Sequence, residues 1–412
     1  MAGRARTVDH DVIIAGGGMI GTSLSLALAP LGLDILVVEA VPRGKPQQPS
    51  FDERSTALSR SSQRSFEAMG LWPRIVRAAT PIEHIHVSDR GRFGFSHIDA
   101  AEQGVEALGY VVINRVLGDV LQSAQAAHDN VSVRCPATIA GTEPAEDLVS
   151  VSIEEGGSAR TATARVLVAA DGARSSVREQ LGIGSSHASY GQRAIIGNLL
   201  TSKPHGYVAY ERFTEQGPLA MLPVTDERVA FVWTVEESAA DELLALDDDA
   251  FMRALHDAFG RRLGNFSRIG RRASYPLTLS KALRLTAQRS VLVGNAAHGL
   301  HPAAAQGFNL GLRDVAALAD CIADALDAGD DIGEAGLLDR YAAWRKSDQQ
   351  KLVRFTDGLV RLFGSRRRLV RLARNAGMLT FDFVPGLRRE FARHTMGLAG
   401  RLPRLSRGVP LR

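Results

Sequence analysis

The sequence predicts an α/β protein: a parallel-sheet domain of Rossmann-like layout, an antiparallel β-sheet inserted into it, and a helical C-terminal region. Three observations carry that expectation. The stretch "DVIIAGGGMIGTSLSLALAPLGLDILVVEA" runs from a β-branched strand at Val12 to Ala15, through glycines, into an Ala/Leu-rich helix and out to a second apolar strand ending at Glu39, the order of a βαβ unit. Between about Ser185 and Tyr275, "AIIGNLL", "YVAYERF", "LAMLPV" and "VAFVWTV" alternate with the period of antiparallel strands. Near the far end, "VLVGNAAHGLHPAAAQGFNLGLRD", Val291 to Asp314, returns to strand, turn and helix start, and everything after Leu337 reads as helical.

The elements between follow from local patterning. A loop, "PRGKPQQPS", separates the first unit from a helical stretch, "STALSRSSQRSFEAMGLW". Residues from about Pro81 to Ala100 read as short strands, and "NRVLGDVLQSAQAA" as a helix. "VRCPATIAGTEPAEDLVSVSIEEGGSARTATARVLVAADGA" is a β-meander ending in a buried strand, and one acidic helix follows the inserted sheet. The expected partition is a nucleotide-binding domain made of residues 1–80, 101–184 and 276–336, a second domain of 81–100 and 185–275, and a helical region of 337–412. At 412 residues a single hydrophobic core would be oversized.

Composition narrows the class. Hydrophobic residues make up 45% and charged residues 23%, ordinary globular values. No apolar run approaches the roughly 20 residues of a spanning helix, and "MAGRARTVDHDVIIAGGG" passes directly into strand and glycines, unlike a signal peptide. Two distant cysteines, Cys135 and Cys321, without a CxxC argue against a disulfide framework or zinc ribbon and suit a reducing cytoplasm. A net charge of +4 gives no support for nucleic-acid binding. The excess of positive charge sits in the tail, where thirteen arginines from Arg361 onward face only Asp382 and Glu390.

Gly16, Gly18 and Gly21 form G-x-G-x-x-G between strand and helix, with Glu39 ending the next strand. Such glycines allow a tight turn and let a helix N-terminus approach a pyrophosphate, while the acid takes ribose hydroxyls. The pattern predicts a bound dinucleotide and leaves NAD or FAD open. Further on, a buried strand delivers Asp171 and Gly172 into a turn, followed by Arg174, Ser175, Val177 and Arg178. His298 and His301 lack a third ligand at sensible spacing, so no metal is expected.

With these motifs in order, the sequence resembles the group A flavoprotein aromatic hydroxylases, whose pattern joins the N-terminal fingerprint, a DG motif (Asp171-Gly172) and a GD motif followed by P-x-x-x-x-G-x-N (Gly294-Asn295, then Pro302 to Asn309). Among them it is most similar to the ubiquinone-biosynthesis hydroxylases, in particular the 2-polyprenyl-6-methoxyphenol hydroxylases, in "FDERSTALS", "VVINRVLGDVL", "YERFTEQGPLAMLP", "GNAAHGLHP", "GFNLGLRD" and "MGLAGRLPRL". The resemblance covers nearly the whole chain. It implies a p-hydroxybenzoate-hydroxylase-like fold with FAD as cofactor, held by Gly16, Gly18, Gly21, Glu39, Arg54, Arg115, Asp171, Gly172, Asn295, Pro302, Gly307 and Asn309. Two departures stand out: Asn295 replaces the usual aspartate, keeping a hydrogen-bond acceptor for the ribityl chain without its charge, and Ala304 and Ala305 occupy a loop usually richer in glycine. Gly307 to Asn309 are expected at a helix N-terminus near the pyrimidine edge of the flavin, where the positive dipole end suits a reduced, anionic ring.

The family reaction uses NAD(P)H and O2 to hydroxylate an electron-rich phenol, the cofactor carrying the redox chemistry while the protein orients and excludes water. No obligatory side-chain nucleophile is implied, and the catalytic residues stay unassigned. A single fingerprint suits a reductant that docks transiently. The implied substrate is a lipid-soluble polyprenyl phenol, with a hydroxylase of a small soluble aromatic, or a low-turnover flavin-binding scaffold of a quinone-biosynthesis complex, as alternatives. A cytoplasmic protein meeting the inner membrane face peripherally, or a partner complex, follows. Leu352, Phe355, Leu359 and Leu362 recur at helical spacing, and Arg366, Arg367, Arg368 and Arg371 follow with Leu369, Val370 and Ala373, the pattern of a basic amphipathic surface helix.

Overall fold

Burial on both faces explains the continuous apolar character of the first strand, His10–Ala15. It pairs in parallel with Ile35–Val38 on one side and Ser158–Ala169 on the other, and Val12, Ile13 and Ile14 are fully buried, as in sheets covered on both faces. Ser290–Leu292 and Val131–Arg134 extend the sheet in parallel at its two sides, and the hairpin of Ala137–Pro144 and Val149–Glu155 continues antiparallel from Ser158–Ala169. Helices Met19–Leu28, Asn114–Gln125 and Gly307–Ala328 contribute to the same core. The structure is a computed structural model and describes residues 8–42, 54–90, 95–225, 227–299, 307–364 and 385–412.

A second sheet is organised around the long strand Ser185–Thr201, flanked by Ala273–Ala282 and Arg228–Glu236; Pro218–Thr225, Val208–Phe213, His84–Asp89 and Phe95–Asp99 follow in order. Alternation along each strand separates two faces. On one, Ile195, Leu199, Leu219, Met221, Phe231 and Trp233 pack against Phe251, Leu255 and Phe259. On the other, Ala209, Leu222, Val224 and Ala230 join Ile82, Leu108 and Val111, together with Phe391, Ala392 and Met396 from the C-terminal region. A third sheet of three strands, Ser55–Ser59, Gly109–Ile113 and Ala79–Ile82, closes over this second face.

Four local expectations are corrected. "STALS" is the strand Ser55–Ser59, not helix, because it pairs antiparallel with Gly109–Ile113, a partner no local pattern reveals; Ser59 then caps the helix Arg60–Ala68 by accepting from the Ser62 N–H. The single acidic helix is two, Glu237–Ala245 and Asp248–Phe259, divided where the Asp247 carboxylate caps the second. The inserted sheet is mixed, since Val208–Phe213 runs parallel to His84–Asp89. Beyond Leu337 the chain is helical over Ala335–Gly364 and Pro385–Thr395, but the last residues form an irregular strap with one 3-10 turn at Leu405–Arg407. The strap lies along the helix Gly307–Ala328 because polar groups tie it there: Arg313 donates to the Gly397 and Ala399 carbonyls at 2.9 and 2.7 Å, and Arg404 pairs with Asp320 and Asp324.

No helix among the described residues is long and apolar enough to cross a membrane. The side chains of Leu352, Phe355, Leu359 and Leu362, and all of Arg366 to Ala373, lie outside the described residues.

Candidate active site

Parallel register brings three sequence-distant turns to one edge. Ala15 is level with Val38 and with Ala169, and Ala169 with Leu292. The residues that follow are Gly16 to Gly18, Asp171-Gly172 and Gly294-Asn295, so all three motifs leave the carboxyl ends of adjacent strands, the edge at which open α/β sheets bind ligands.

The first turn has no room to spare. Gly16 adopts φ +99° and a Cβ there would lie 2.6 Å from the Ala170 carbonyl oxygen; at Gly21 a Cβ would lie 1.8 Å from the Gly16 oxygen. Glycine at both positions is a requirement of the fold. Gly18 differs: at φ −68° it is extended backbone open to any residue. The helix it begins, Met19–Leu28, has neither a side-chain cap nor an acidic residue in its first turn, leaving its dipole and leading N–H groups for an anion. The Glu39 carboxylate accepts from the Gly17 N–H at 2.6 Å and the Val41 N–H at 2.7 Å, bracing the turn from the neighbouring strand end.

At the second turn Gly172 takes φ +89°, and Asp171 Oδ2 accepts from the Val177 N–H at 3.2 Å. Among the described residues, Asp171 Oδ1 is buried without a hydrogen-bond partner. Such an atom is costly unless a ligand completes it. Buried Arg178 donates one guanidinium nitrogen to both the Ala173 and Ala296 carbonyls, at 3.2 and 3.1 Å, clamping the second turn to the third. Asn295 stands exposed on the 3-10 turn Gly294–Ala296. Gly294, at φ +60°, and Gly311 of the helix Gly307–Ala328 both close on Ile20, so the first and third motifs interlock.

A buried ionic network that sequence patterning does not reveal holds the third turn. Asp314 is fully buried; its Oδ2 accepts from the Gly294 N–H at 2.9 Å and from His298 Nε2 at 2.6 Å, and its Oδ1 from Arg345 Nε at 2.6 Å. Arg345 also pairs with Asp348 at 2.6 Å, and the Tyr341 hydroxyl donates to the Leu292 carbonyl at 3.1 Å. Burial alone would raise the Asp314 pKa, but His298 and Arg345 hold it below the usual carboxylate range. His298 thus belongs to a polar network. His301 and Pro302 lie outside the described residues.

The remaining predicted residues are placed as follows. Gly307 begins the helix Gly307–Ala328. Asn309, within its first turn, is buried and engaged: Oδ1 accepts from the Ser59 N–H at 2.8 Å and the Ser62 hydroxyl at 2.7 Å, and Nδ2 donates to the Ala57 carbonyl at 2.9 Å. Its amide fastens the three-stranded sheet to this helix. Arg54 and Arg115 sit at one end of that sheet, where the Asn114 N–H donates to the Arg54 carbonyl at 2.7 Å. Arg54 lies 5.1 Å from the centroid of the Tyr275 ring, bridging toward the second sheet. Arg115 is half-exposed, 3.9 Å from Asp119.

Known proteins agree with this architecture. Residues 9–356 match the FAD binding domain family. The chain is 39% identical to the ubiquinone hydroxylase UbiL of Rhodospirillum rubrum over 97% of its own length and 93% of that protein's. It is 30% identical to the 3-demethoxyubiquinol 3-hydroxylase of Escherichia coli, covering 94% and 98% of the two chains. Among solved structures, p-nitrophenol 4-monooxygenase from Pseudomonas putida superposes with a TM-score of 0.79 at 19% identity, covering 95% of this chain and 98% of that one, a likeness of fold. A glycine turn, an uncapped helix and an unsatisfied buried carboxylate oxygen on one sheet edge suit the FAD these relatives imply, and the chain belongs to the FAD-dependent ubiquinone-biosynthesis hydroxylases, aromatic monooxygenases of p-hydroxybenzoate-hydroxylase-like fold.

Proposed function

We propose that this chain hydroxylates a polyprenylated phenol of the 2-polyprenyl-6-methoxyphenol type, with NAD(P)H as reductant and O2 as oxidant. The observation that carries the site assignment is the convergence of the three motifs on one sheet edge. FAD, when bound, supplies the redox chemistry. The chain's own residues bind and orient it: the leading N–H groups of Met19–Leu28 face the pyrophosphate, and Glu39, at the end of the neighbouring strand, takes the ribose hydroxyls. Asp171 Oδ1 and Asn295 serve the remaining polar groups of the cofactor. Gly307 and Asn309 frame the ring end, Asn309 by fixing the helix rather than by its own amide, and Arg54 and Arg115 serve the cofactor from the end of the three-stranded sheet. A lipid-soluble substrate requires a protein that works at the cytoplasmic face of the membrane, or within a quinone-biosynthesis complex.

Gly18 separates the roles of fold and ligand. Because its backbone accepts any residue, Gly18→Val is expected to fold but to lose FAD, as the new side chain blocks the main chain's approach to the pyrophosphate; far-ultraviolet circular dichroism and flavin absorbance read the two effects. At Asn295, replacement by Asp is expected to preserve FAD affinity and by Leu to weaken it by about 1–3 kcal/mol, measured by flavin fluorescence titration. Deleting the gene in its host tests the substrate assignment: accumulation of a prenylated phenol one hydroxylation short of the quinone is expected. An unchanged quinone pool would point to a small soluble aromatic instead.

A further inference from the structure

Arg313 stands four residues after Asn309 in the helix Gly307–Ala328, and so on the same helix face. Its side chain is only 12% exposed. One terminal nitrogen donates to both the Gly397 and the Ala399 carbonyls, at 2.9 and 2.7 Å. The other lies 3.4 Å from the Asp348 carboxylate, which Arg345 also holds. The strap thus grips the helix one turn beyond Asn309. The opposite side of the helix start is held by the third motif, where Gly311 closes on Ile20 and Gly294 and Asp314 accepts from the Gly294 N–H.

The strap also reaches the residues to which Asn309 is fastened. The Ser61 N–H donates to the Met396 carbonyl at 3.0 Å. Gly397, at φ +71°, sits so close to the serines that a Cβ there would overlap the Ser61 hydroxyl and lie 3.1 Å from that of Ser59. Ser59 and Ser62, whose hydroxyls are 3.2 Å apart, are the residues that donate to Asn309 Oδ1. The contacts close a ring: from Arg313 to the strap, from the strap to Ser61 and Ser59, from Ser59 and Ser62 to Asn309, and along the helix back to Arg313. The upstream end of this ring is anchored in a different layer, since Phe391, Ala392, Met396 and Leu398 pack into the apolar face of the second sheet and Arg388 pairs with Glu102 at 3.3 Å. Residues 396–400 therefore hold the start of the helix at a fixed place relative to both the second sheet and the three-stranded sheet.

We propose that Arg313 and the strap residues it binds, Gly397 and Ala399, are positioning residues for the flavin: they set the leading end of the helix Gly307–Ala328 against the ring end of FAD and thereby tune the cofactor's redox potential. The assignment rests on the reading that Gly307 and Asn309 frame the ring end. The leading end of a helix carries partial positive charge, and its influence fades within a turn, so the distance at which it is held matters. Reduction leaves the ring anionic, and a helix end kept close favours that form. Arg313 acts through the helix it holds and not by touching the reacting atoms.

The test compares FAD-loaded variants by redox titration of the bound flavin and by amide hydrogen exchange at Ser59 and Ser61. Arg313→Met removes the donors, Arg313→Lys keeps an ammonium with three of them, and Gly397→Ala presses on the serines from the strap side. Arg313→Met is expected to weaken the preference for reduced over oxidised flavin about 10-fold, a potential lower by about 30 mV for a two-electron couple, with faster exchange of both amides. Arg313→Lys should recover part of each change, and Gly397→Ala should move both in the same direction as Arg313→Met. These two milder variants carry the test where Arg313→Met does not fold. Asn309→Ala, which unfastens the same helix end directly, separates the two ways of failing. A shifted potential in Asn309→Ala with the wild-type value in Arg313→Met and Gly397→Ala, whatever their thermal midpoints, would overturn the role of the strap. A wild-type potential in all of them, despite faster exchange at Ser59 and Ser61, overturns the placement of the flavin ring at this helix end, and the role of Arg313 with it.

Discussion

Asp314→Ala is expected to destabilise the protein by about 3–5 kcal/mol, the range for removing one partner of a buried charge pair. The carboxylate and the Arg345 guanidinium are both wholly buried, so alanine leaves that buried cation with Asp348 in place of two carboxylates and orphans the Gly294 N–H and His298 Nε2 together. The damage should reach the cofactor, because the turn that loses its anchor carries Asn295. A lowered thermal midpoint and accelerated flavin release are the expected readings. The double variant Asp314→Ala/Arg345→Met should cost less than the sum of the single changes, since the two buried partners are removed together. The pH dependence has a definite sign. Asp314 is held below its ordinary pKa, so its contribution is present above the unfolded carboxylate value of about 4 and is lost as pH falls through the folded one. The gap between wild type and Asp314→Ala should therefore narrow in acid. An Asp314→Ala protein with wild-type midpoint and flavin retention would remove the network from the account.

Gly21→Val is expected to abolish FAD retention outright. The obstruction at this position is backbone: the added Cβ would lie 1.8 Å from the Gly16 oxygen and 3.0 Å from its carbonyl carbon, and no rotamer change relieves it. Helix Met19–Leu28 must back away from the first turn, pulling Ile20 from Gly294 and Gly311. The second sheet has its own apolar core and should keep its secondary structure, so the variant is expected to be colourless but folded in part. Gly172→Ala makes the comparison. A Cβ there meets nothing within 4 Å, leaving only the left-handed backbone cost of about 1–2 kcal/mol, and most of the flavin should remain. Equal FAD content in Gly21→Val and wild type would contradict the placement of the pyrophosphate.

What could be read in the sequence was what short stretches determine. The fingerprint glycines and Glu39 lie within one βαβ unit, whose turn chemistry is local. The strand Ser55–Ser59 was not legible, because "STALS" has no strong period and its structure comes from pairing with Gly109–Ile113. Long-range polar contacts were equally hidden. Arg178 reaches across 118 residues to Ala296, and Asn309 across 250 to Ser59; nothing in their neighbourhoods predicts either partner. The Asp314–Arg345 pair joins two helices, Gly307–Ala328 and Ala335–Gly364, and only their packing makes it visible. Glu211 sits inside "YERF", an alternating strand in which a charged residue reads as solvent-facing until the sheet order shows both faces covered.

The central claim, that this chain is an FAD-dependent hydroxylase of a prenylated phenol, is tested most directly by isotope incorporation. Purified FAD-loaded protein is supplied with NADPH, 2-prenyl-6-methoxyphenol and isotopically labelled dioxygen, and the product is examined by mass spectrometry. The account predicts one labelled oxygen atom in each hydroxylated product, with NADPH consumption stimulated by the phenol and matching product formed. Phenol-independent NADPH oxidation with no labelled product would contradict it.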